Sequence, residues 1–221
     1  MSAAPPHRRA LVIALAALAW FSVLLQCFLS LQLASRSGES IGRGIVSFLG
    51  YFTVLTNLLV CISVTLPLVR PAAASGKLFS RADVIAGVAT SIAFVGLAYH
   101  LLLRNTWNPQ GLQFFANVLL HYVIPVLYVT YWWFISPKTG VRWISPLIWG
   151  IYPTAYLVYA LIRGRLIGSY PYGFIDAAAI GYGQTLINGL GLLLAFIVLG
   201  LMVTSLDRAR ARRWTPLANG G

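Results

Sequence analysis

Three polar residues lie within one of the most apolar stretches of the sequence, YFTVLTNLLV (residues 51–60). Thr53 and Asn57 are four residues apart and therefore share one face of a helix, and Thr56 borders that face. An asparagine amide is costly to bury in hydrocarbon unless it finds hydrogen-bond partners. These residues therefore either hold two helices together or line a site.

A second polar pair lies in FFANVLLHYVIPVLY, where Asn117 and His121 are again spaced i, i+4. An ionisable residue inside a membrane helix is a functional-site candidate by default. A neutral imidazole could take the proton of a threonine hydroxyl during attack, which turns a weak nucleophile into an effective one. The amide of Asn57 or of Asn117 could then donate to the oxyanion that forms. The pattern predicts a threonine–histidine dyad.

Further polar residues fall toward the same end of the predicted spans. They are His100, Asp176, Gln184 and Asn188. Asp176 is the one carboxylate placed to orient His121, so a dyad is a more economical hypothesis than a full triad. The two histidines and Asp176 could in principle ligate zinc. Because the sequence has no HExxH, no paired carboxylates and no tight ligand spacing, we predict no metal.

The elements that must position these residues are membrane helices. Hydrophobic residues make up 59% of the chain and charged residues only 9%, whereas about a quarter of a soluble domain is charged. Apolar stretches of about 20 residues recur, each long enough to cross a hydrocarbon core of about 30 Å. The predicted spans are 10–34, 45–69, 83–104, 113–136, 144–162 and 179–206. We predict an all-α polytopic membrane protein with six transmembrane helices.

The charges in the connecting segments predict how the bundle is oriented. Eleven of the 16 Lys and Arg flank one side of the predicted spans and five flank the other, so both termini are expected in the cytoplasm. The chain then comprises a cytoplasmic N-terminal tail (1–9), a transmembrane domain (10–206) and a basic cytoplasmic C-terminal tail (207–221). In this topology Thr53 and His121 each lie about 8 residues, or roughly 12 Å, inside the outer face.

Composition also excludes several function classes. The net charge of +12 would suit nucleic acid, but the basic residues flank membrane spans, where they contact anionic headgroups, so we predict no nucleic-acid partner. Cys27 and Cys61 fall within spans and are expected to be free thiols. The chain has only 4 acidic residues for ion-coupled transport and no glycine-rich phosphate loop, so we expect no cofactor. The sequence indicates no particular oligomeric state.

Four short motifs resemble the androgen-induced protein family of multipass membrane proteins, with the closest similarity to its bacterial members. The motifs are FTVLTN, NVLLH followed by Pro125, YPYGFID, and GQTLINGLG in the last span. Animal members hydrolyse fatty acid esters of hydroxy fatty acids with an intramembrane threonine and a histidine. The resemblance covers nearly the whole chain in span number and order. It implies a bacterial cytoplasmic membrane, Thr53 as nucleophile and His121 as base, with Thr56 of the Thr-x-x-Thr-Asn stretch as the alternative nucleophile.

The leading hypothesis is therefore an integral-membrane hydrolase of lipid acyl esters, of the fatty acid ester of hydroxy fatty acid type that the resemblance implies. Its substrate would enter from the outer leaflet, and its other partners would be membrane lipids. The alternative is a non-catalytic protein that binds a lipid or small molecule in an outer-leaflet polar pocket. In that case Asn57, Asn117, Gln184 and Asn188 mainly hydrogen-bond across helices.

Overall fold

The computed structural model describes residues 6–137 and 140–214. Within these residues the chain is almost entirely helical and contains no strand. The helices, in chain order, are α1 Pro6–Arg36, α2 Ile41–Leu49, α3 Phe52–Val69, α4 Ala74–Phe79, α5 Ala82–Ala98, α6 Gly111–Val118, α7 Ile124–Phe134, α8 Ser145–Trp149, α9 Ile151–Ile167 and α10 Ala177–Trp214. A π turn, Tyr99–Leu103, continues α5, and a second, Leu119–Val123, joins α6 to α7. A 3₁₀ turn, Gly173–Ile175, precedes α10.

Six helical stretches in the described part of the chain are long and apolar enough to cross a membrane. They are His7–Arg36, Phe52–Val69, Ala82–Leu103, Gly111–Phe134, Ser145–Ile167 and Ala177–Arg212. Large apolar side chains cover their outer surfaces, among them Leu33, Leu101 and Leu166, as expected where lipid replaces water as the solvent. The predicted all-α polytopic fold with six transmembrane helices is confirmed.

The centre of the bundle is formed by α3 and α5, which contact each other. α3 also packs against α1, and α5 packs against α7 and α10. Buried side chains fill the spaces between these helices, including Val60, Ile92, Ile124, Tyr128 and Phe196. Because lipid is as apolar as this core, van der Waals packing and interhelical hydrogen bonds, rather than transfer from water, hold the helices together.

The two ends of the bundle are formed by different connecting segments. The connections 37–40, 104–110 and 168–176 lie at one end, named here the site face. The start of α1, the segment 140–144 and the end of α10 lie at the other, named the terminal face. The six crossings therefore return the described chain to the face from which it starts. The cytoplasmic location of that face stays a prediction.

The second predicted span, 45–69, is not one continuous helix. α2 ends at Leu49 and α3 begins at Phe52, two residues later. Thr53 is consequently the second residue of α3, so the prediction that it lies about 8 residues along a continuous second span is wrong. This position matters chemically, because the first backbone N–H groups of a helix have no partner within the helix.

Side chains from α9 explain why the chain breaks there. Arg163 Nε donates to the Val46 carbonyl (3.1 Å) and Tyr156 Oη donates to the Gly50 carbonyl (3.0 Å). A Cβ on Gly50 would lie 2.7 Å from the Arg163 guanidinium carbon, so glycine is the residue that lets this guanidinium approach. The carbonyls that a continuous helix would use internally are bonded across the bundle instead.

The ends of the predicted transmembrane domain also differ. The fifth span, 144–162, divides at Gly150 and continues to Ile167, and the sixth, 179–206, starts at Ala177. α10 contains one non-helical residue, Gly181, with φ 78° and ψ 155°, a backbone conformation that is open essentially to glycine alone.

The predicted tails are partly helical. α1 begins at Pro6, inside the predicted N-terminal tail, and α10 runs to Trp214, inside the predicted C-terminal tail. Residues 1–5 and 215–221 of those tails lie outside the described residues. So does Lys138, one of the charges used to predict the orientation.

Candidate active site

Thr53 and His121 meet at the site face of the bundle. Thr53 Oγ1 lies 3.3 Å from His121 Nε2. The threonine belongs to the first turn of α3 and the histidine to the π turn between α6 and α7, so the pair joins the second and fourth membrane crossings. The Thr53 side chain is nearly buried, with 9% of its residue surface exposed. The structure thus brings together the two residues that the sequence analysis paired.

The protonation of His121 follows from its second hydrogen bond. Its Nδ1 lies 3.0 Å from the backbone carbonyl of Asn117. A carbonyl oxygen only accepts, so Nδ1 carries the proton and donates it. In a neutral imidazole Nε2 is then the acceptor, and the Thr53 hydroxyl donates to it. This is the tautomer that a general base facing a hydroxyl needs.

Tyr99 holds the imidazole from its other side. The Tyr99 and His121 rings are stacked, with centroids 3.9 Å apart and planes inclined by 24°. The side-chain amide of Asn117 donates to the Tyr99 hydroxyl (2.6 Å). Asn117 therefore restrains the histidine twice, directly through its carbonyl and indirectly through Tyr99.

The π turn leaves one backbone carbonyl without its usual helical partner. In an α-helix the Leu120 carbonyl would accept from the N–H of Ile124, but Ile124 donates to the Leu119 carbonyl here. The next residue, Pro125, has no N–H to offer. In a membrane interior, such a carbonyl requires a donor from elsewhere.

Asn57 supplies that donor from α3. Its Nδ2 lies 3.3 Å from the Leu120 carbonyl and 2.8 Å from the Thr53 carbonyl. The amide is fully buried. One side chain therefore ties the first turn of α3 to the π turn and fixes the distance between Thr53 and His121. This role is positional, and the Asn57 amide is engaged with backbone rather than aimed at an incoming carbonyl.

Thr56 points to a different part of the bundle. Its Oγ1 lies 2.9 Å from the Tyr152 hydroxyl of α9, and the residue is fully buried. The structure therefore gives His121 one threonine partner, and that partner is Thr53.

His100 and Asp176 lie outside the Thr53–His121 pair. His100 Nδ1 lies 3.3 Å from the Tyr122 hydroxyl, and Arg104 donates to its Nε2 (2.9 Å). Asp176 Oδ1 accepts from the N–H groups of Ala178 and Ala179, which makes it the N-terminal cap of α10. His121 is oriented by a backbone carbonyl rather than by Asp176.

Gln184 and Asn188 fasten the last connection to α10. Gln184 Nε2 donates to Asn188 Oδ1 (2.9 Å), and Asn188 Nδ2 donates to the Phe174 carbonyl (2.9 Å). Neither amide is directed at His121. In residues 6–137 and 140–214, no group of three or more His, Cys, Asp or Glu side chains is arranged to hold a metal ion.

Tyr172 is a site residue that the sequence analysis did not assign. Its hydroxyl accepts from the Thr53 backbone N–H (3.4 Å), and its ring stacks on Phe174 with centroids 5.1 Å apart. Burial raises the pKa of Tyr172, so its hydroxyl keeps its proton and can donate it. The YPYGFID motif, which contains Tyr172, was the sequence feature that could have indicated this residue. No signal along the chain paired Tyr99 with His121, because that stack forms between two helices.

An apolar cavity of about 260 Å³ lies on one side of Thr53, between α5, α9 and α10. Its lining includes Phe94, Ala98, Leu157, Leu186, Leu190 and Leu193, together with Thr53 and Tyr172. Leu186 and Leu190 are each more than half exposed on the outer surface of the bundle. The apolar cavity therefore opens sideways, toward the lipid.

A second cavity of about 490 Å³, more polar than the first and named here the polar cavity, lies on the other side, beneath the connections of the site face. Its lining includes Gln26, Ser30, Glu39, Trp107, Gln113 and His121, together with Thr53 and Tyr172. Thr53 and Tyr172 thus stand where the two cavities meet. The arrangement suits a reaction on a substrate whose reacting bond joins an apolar group to a polar group.

Comparison with protein-family models, curated proteins and solved structures finds no match to this chain. The similarity to the androgen-induced protein family therefore stays a prediction that rests on the motifs quoted above. What the structure adds is independent of that similarity. It is a hydroxyl and a correctly protonated imidazole, held in hydrogen-bond range inside a polytopic membrane protein.

Proposed function

We propose that this protein hydrolyses acyl esters of lipids within the membrane, with Thr53 as nucleophile and His121 as general base. The observation that carries the proposal is the 3.3 Å separation of Thr53 Oγ1 and His121 Nε2, at the junction of the two cavities. A positioned base within this range is what allows a neutral hydroxyl to attack a carbonyl.

In the first half-reaction the Thr53 oxygen attacks the ester carbonyl carbon as its proton passes to His121 Nε2. The tetrahedral intermediate collapses, the bond to the leaving oxygen breaks, and His121 returns the proton to the departing alcohol. The product is an acyl ester on Thr53. The Nδ1–H bond to the Asn117 carbonyl (3.0 Å) stabilises the imidazolium that exists between these two steps.

In the second half-reaction water attacks the acyl carbonyl and gives its proton to His121 Nε2. The acyl–Thr53 bond breaks, the threonine oxygen regains the proton, and a free fatty acid leaves. The polar cavity, beneath the connections of the site face, is the route by which this water would arrive.

Tyr172 is the proposed oxyanion donor. It accepts from the Thr53 N–H (3.4 Å), and its own O–H, which also interacts with the Thr53 side chain, would turn to donate to the carbonyl oxygen as negative charge develops there. A preorganised donor of this kind typically contributes about 10²–10³ in kcat. The helix N-terminus at Thr53 supports the same charge through its dipole.

The apolar cavity favours a substrate that arrives laterally from the lipid. We infer that the site face lies on the outer side of the membrane, because the excess of Lys and Arg flanks the terminal face. The resemblance implies that this is a bacterial cytoplasmic membrane. Fatty acid esters of hydroxy fatty acids, which the resemblance implies, are the reference substrates against which other lipid acyl esters are compared.

The decisive experiment uses the full chain purified in detergent and a fluorophosphonate probe. The wild type and Thr56→Val are expected to be labelled and Thr53→Val is not. His121→Gln should be labelled more slowly by about 10²–10⁴. Labelling that is unchanged in Thr53→Val would rule out the proposed chemistry. So would a wild type that is neither labelled nor able to release fatty acid from any ester.

The same variants separate catalysis from the non-catalytic alternative. If the polar residues only join helices around a bound lipid, Thr53→Val and His121→Gln should lower the thermal unfolding midpoint together, and no ester should be cleaved. If they are catalytic, both variants should unfold near the wild-type temperature and lose turnover.

A further inference from the structure

We infer that the leaving alcohol of the substrate occupies the polar cavity and that it is uncharged and hydroxylated, as in an ester of glycerol or of a sugar. This inference rests on the proposed hydrolase function and names a substrate class other than the one that the resemblance implies, because the leaving alcohol of a fatty acid ester of a hydroxy fatty acid carries a carboxylate. It follows from which residues line each cavity and from the charges they carry.

The position of His121 determines which cavity holds the alcohol part of the ester and which holds the acyl part. Thr53 lines both cavities, but His121 lines the polar cavity and is not part of the apolar one. The atom that receives the proton from His121 Nε2 is the leaving oxygen. That oxygen, and the alcohol attached to it, must therefore lie on the polar side.

The acyl chain then extends into the apolar cavity. Phe94, Leu157 and Leu193 line it, and none of them offers a hydrogen bond. Its wall includes Leu186 and Leu190, which also face the exterior of the bundle. A long acyl chain can reach Thr53 by this path without leaving an apolar environment.

Hydrogen-bonding groups without charge dominate the polar part of the other cavity. Gln113 Nε2 donates to Gln26 Oε1 (3.0 Å), and Gln26 Nε2 donates to Ser30 Oγ (3.3 Å). Amides and hydroxyls both donate and accept, which matches the hydroxyls of a polyol. Trp107 at the site face adds a ring that can pack against the carbon skeleton of such an alcohol.

The charges of this cavity disfavour an anionic leaving group. Among the described residues that line it, none is Lys or Arg, and Glu39 supplies a carboxylate. Arg43, a cation near this cavity, already lies 3.7 Å from Glu39 and donates to the Ile167 carbonyl (3.3 Å). A carboxylate or phosphate placed in this cavity would lose water without gaining a cation, which is unfavourable.

The test compares three esters of one acyl chain with the full chain in detergent micelles. One is a glycerol monoester, one is an ester of a hydroxy acid with a free carboxylate, and one is an ester of glycerol phosphate. Release of fatty acid gives kcat/KM for each. The glycerol ester is expected to exceed both anionic esters by about tenfold or more.

A matched pair of variants tests the charge argument directly. Gln26→Lys places a cation in the polar cavity, and Gln26→Met gives a side chain of similar length without charge. Both variants lose the Gln26 amide, so the difference between them reports the charge: Gln26→Lys should narrow the preference for the glycerol ester about tenfold further than Gln26→Met does. A wild type that cleaves either anionic ester as fast as the glycerol ester overturns the inference.

Two outcomes distinguish this inference from the function on which it rests. Fluorophosphonate labelling at Thr53 without cleavage of the glycerol ester overturns the inference alone and leaves the hydrolase chemistry standing. Absence of labelling and of cleavage for all three esters overturns the proposed function and the inference together.

Discussion

Tyr99 and His121 lie face to face, with ring centroids 3.9 Å apart and planes inclined by 24°. Tyr99 comes from the π turn that continues α5, and His121 from the π turn between α6 and α7. Two local departures from α-helical geometry, on neighbouring crossings, therefore meet at one imidazole. π turns are frequent at functional sites because they redirect side chains that a regular helix would hold elsewhere.

Substitutions at Tyr99 can separate the effect of the ring stack on His121 from the effect of the hydrogen bond that the Tyr99 hydroxyl accepts. Tyr99→Phe keeps the ring and removes the hydroxyl that accepts from Asn117 (2.6 Å). We expect it to reduce stability by about 1–3 kcal/mol, because a buried amide loses its partner, and to leave kcat within about threefold of wild type, since the stack remains.

Tyr99→Leu removes the ring itself and should lower kcat by about tenfold or more, because His121 can then rotate away from Thr53. Ester hydrolysis and thermal unfolding of both variants provide the check. Equal loss of kcat in Tyr99→Phe and Tyr99→Leu would show that the stack does not position the imidazole.

Asn57 should be a stability residue with a secondary effect on rate. Asn57→Leu has nearly the same volume but cannot donate to the carbonyls of Thr53 and Leu120. The Leu120 carbonyl is then left buried without a donor, so we expect a loss of about 1–3 kcal/mol. Asn188→Leu, which removes a hydrogen bond to the Phe174 carbonyl nearer the surface, is the matched control and should cost less. Unfolding curves measured in detergent show which of the two variants loses more stability.

Tyr172→Phe should act on kcat rather than on KM. Loss of the proposed oxyanion donor is expected to lower kcat by about 10² while the cavities keep their shape. Because burial holds the pKa of Tyr172 above its ordinary value of 10.0, its hydroxyl stays protonated, and the ratio of wild-type to variant rates should stay constant from neutral pH up to that value. Tyr159→Phe, which loses a hydrogen bond to the Leu49 carbonyl and lines neither cavity, is the control. A ratio near one at every pH would remove Tyr172 from the mechanism.

A buried ion pair at the terminal face should matter for stability alone. Arg210 Nη2 lies 3.0 Å from Asp207 Oδ1, with side-chain exposures of 7% and 1%, and Arg210 also donates to the carbonyls of Trp132 and Trp133. Asp207→Asn leaves the guanidinium without its counter-charge and should cost about 3–5 kcal/mol. The kcat of the folded fraction should match wild type because the pair lies at the opposite end of the bundle. Unfolding midpoints and active-site-titrated rates test both parts, and a stable but slow Asp207→Asn would contradict them.

The sequence by itself determined the membrane fold and the polar residues to examine. Hydropathy is a local property, because the cost of placing a group in hydrocarbon depends mainly on that group. The all-α class and the six apolar helices could therefore be read along the chain. The i, i+4 spacing of Thr53 with Asn57, and of Asn117 with His121, could be read in the same way.

Only the tertiary structure decided which of these groups meet. Thr53 rather than Thr56 faces His121, Tyr172 and Tyr99 join the site, and Asp176 caps a helix instead of orienting the histidine. These outcomes depend on the break between α2 and α3, on the two π turns and on the rotation of each helix about its axis. Each of those depends on partners from other crossings, such as Arg163 beside Gly50. Spacing along one helix does not contain that information.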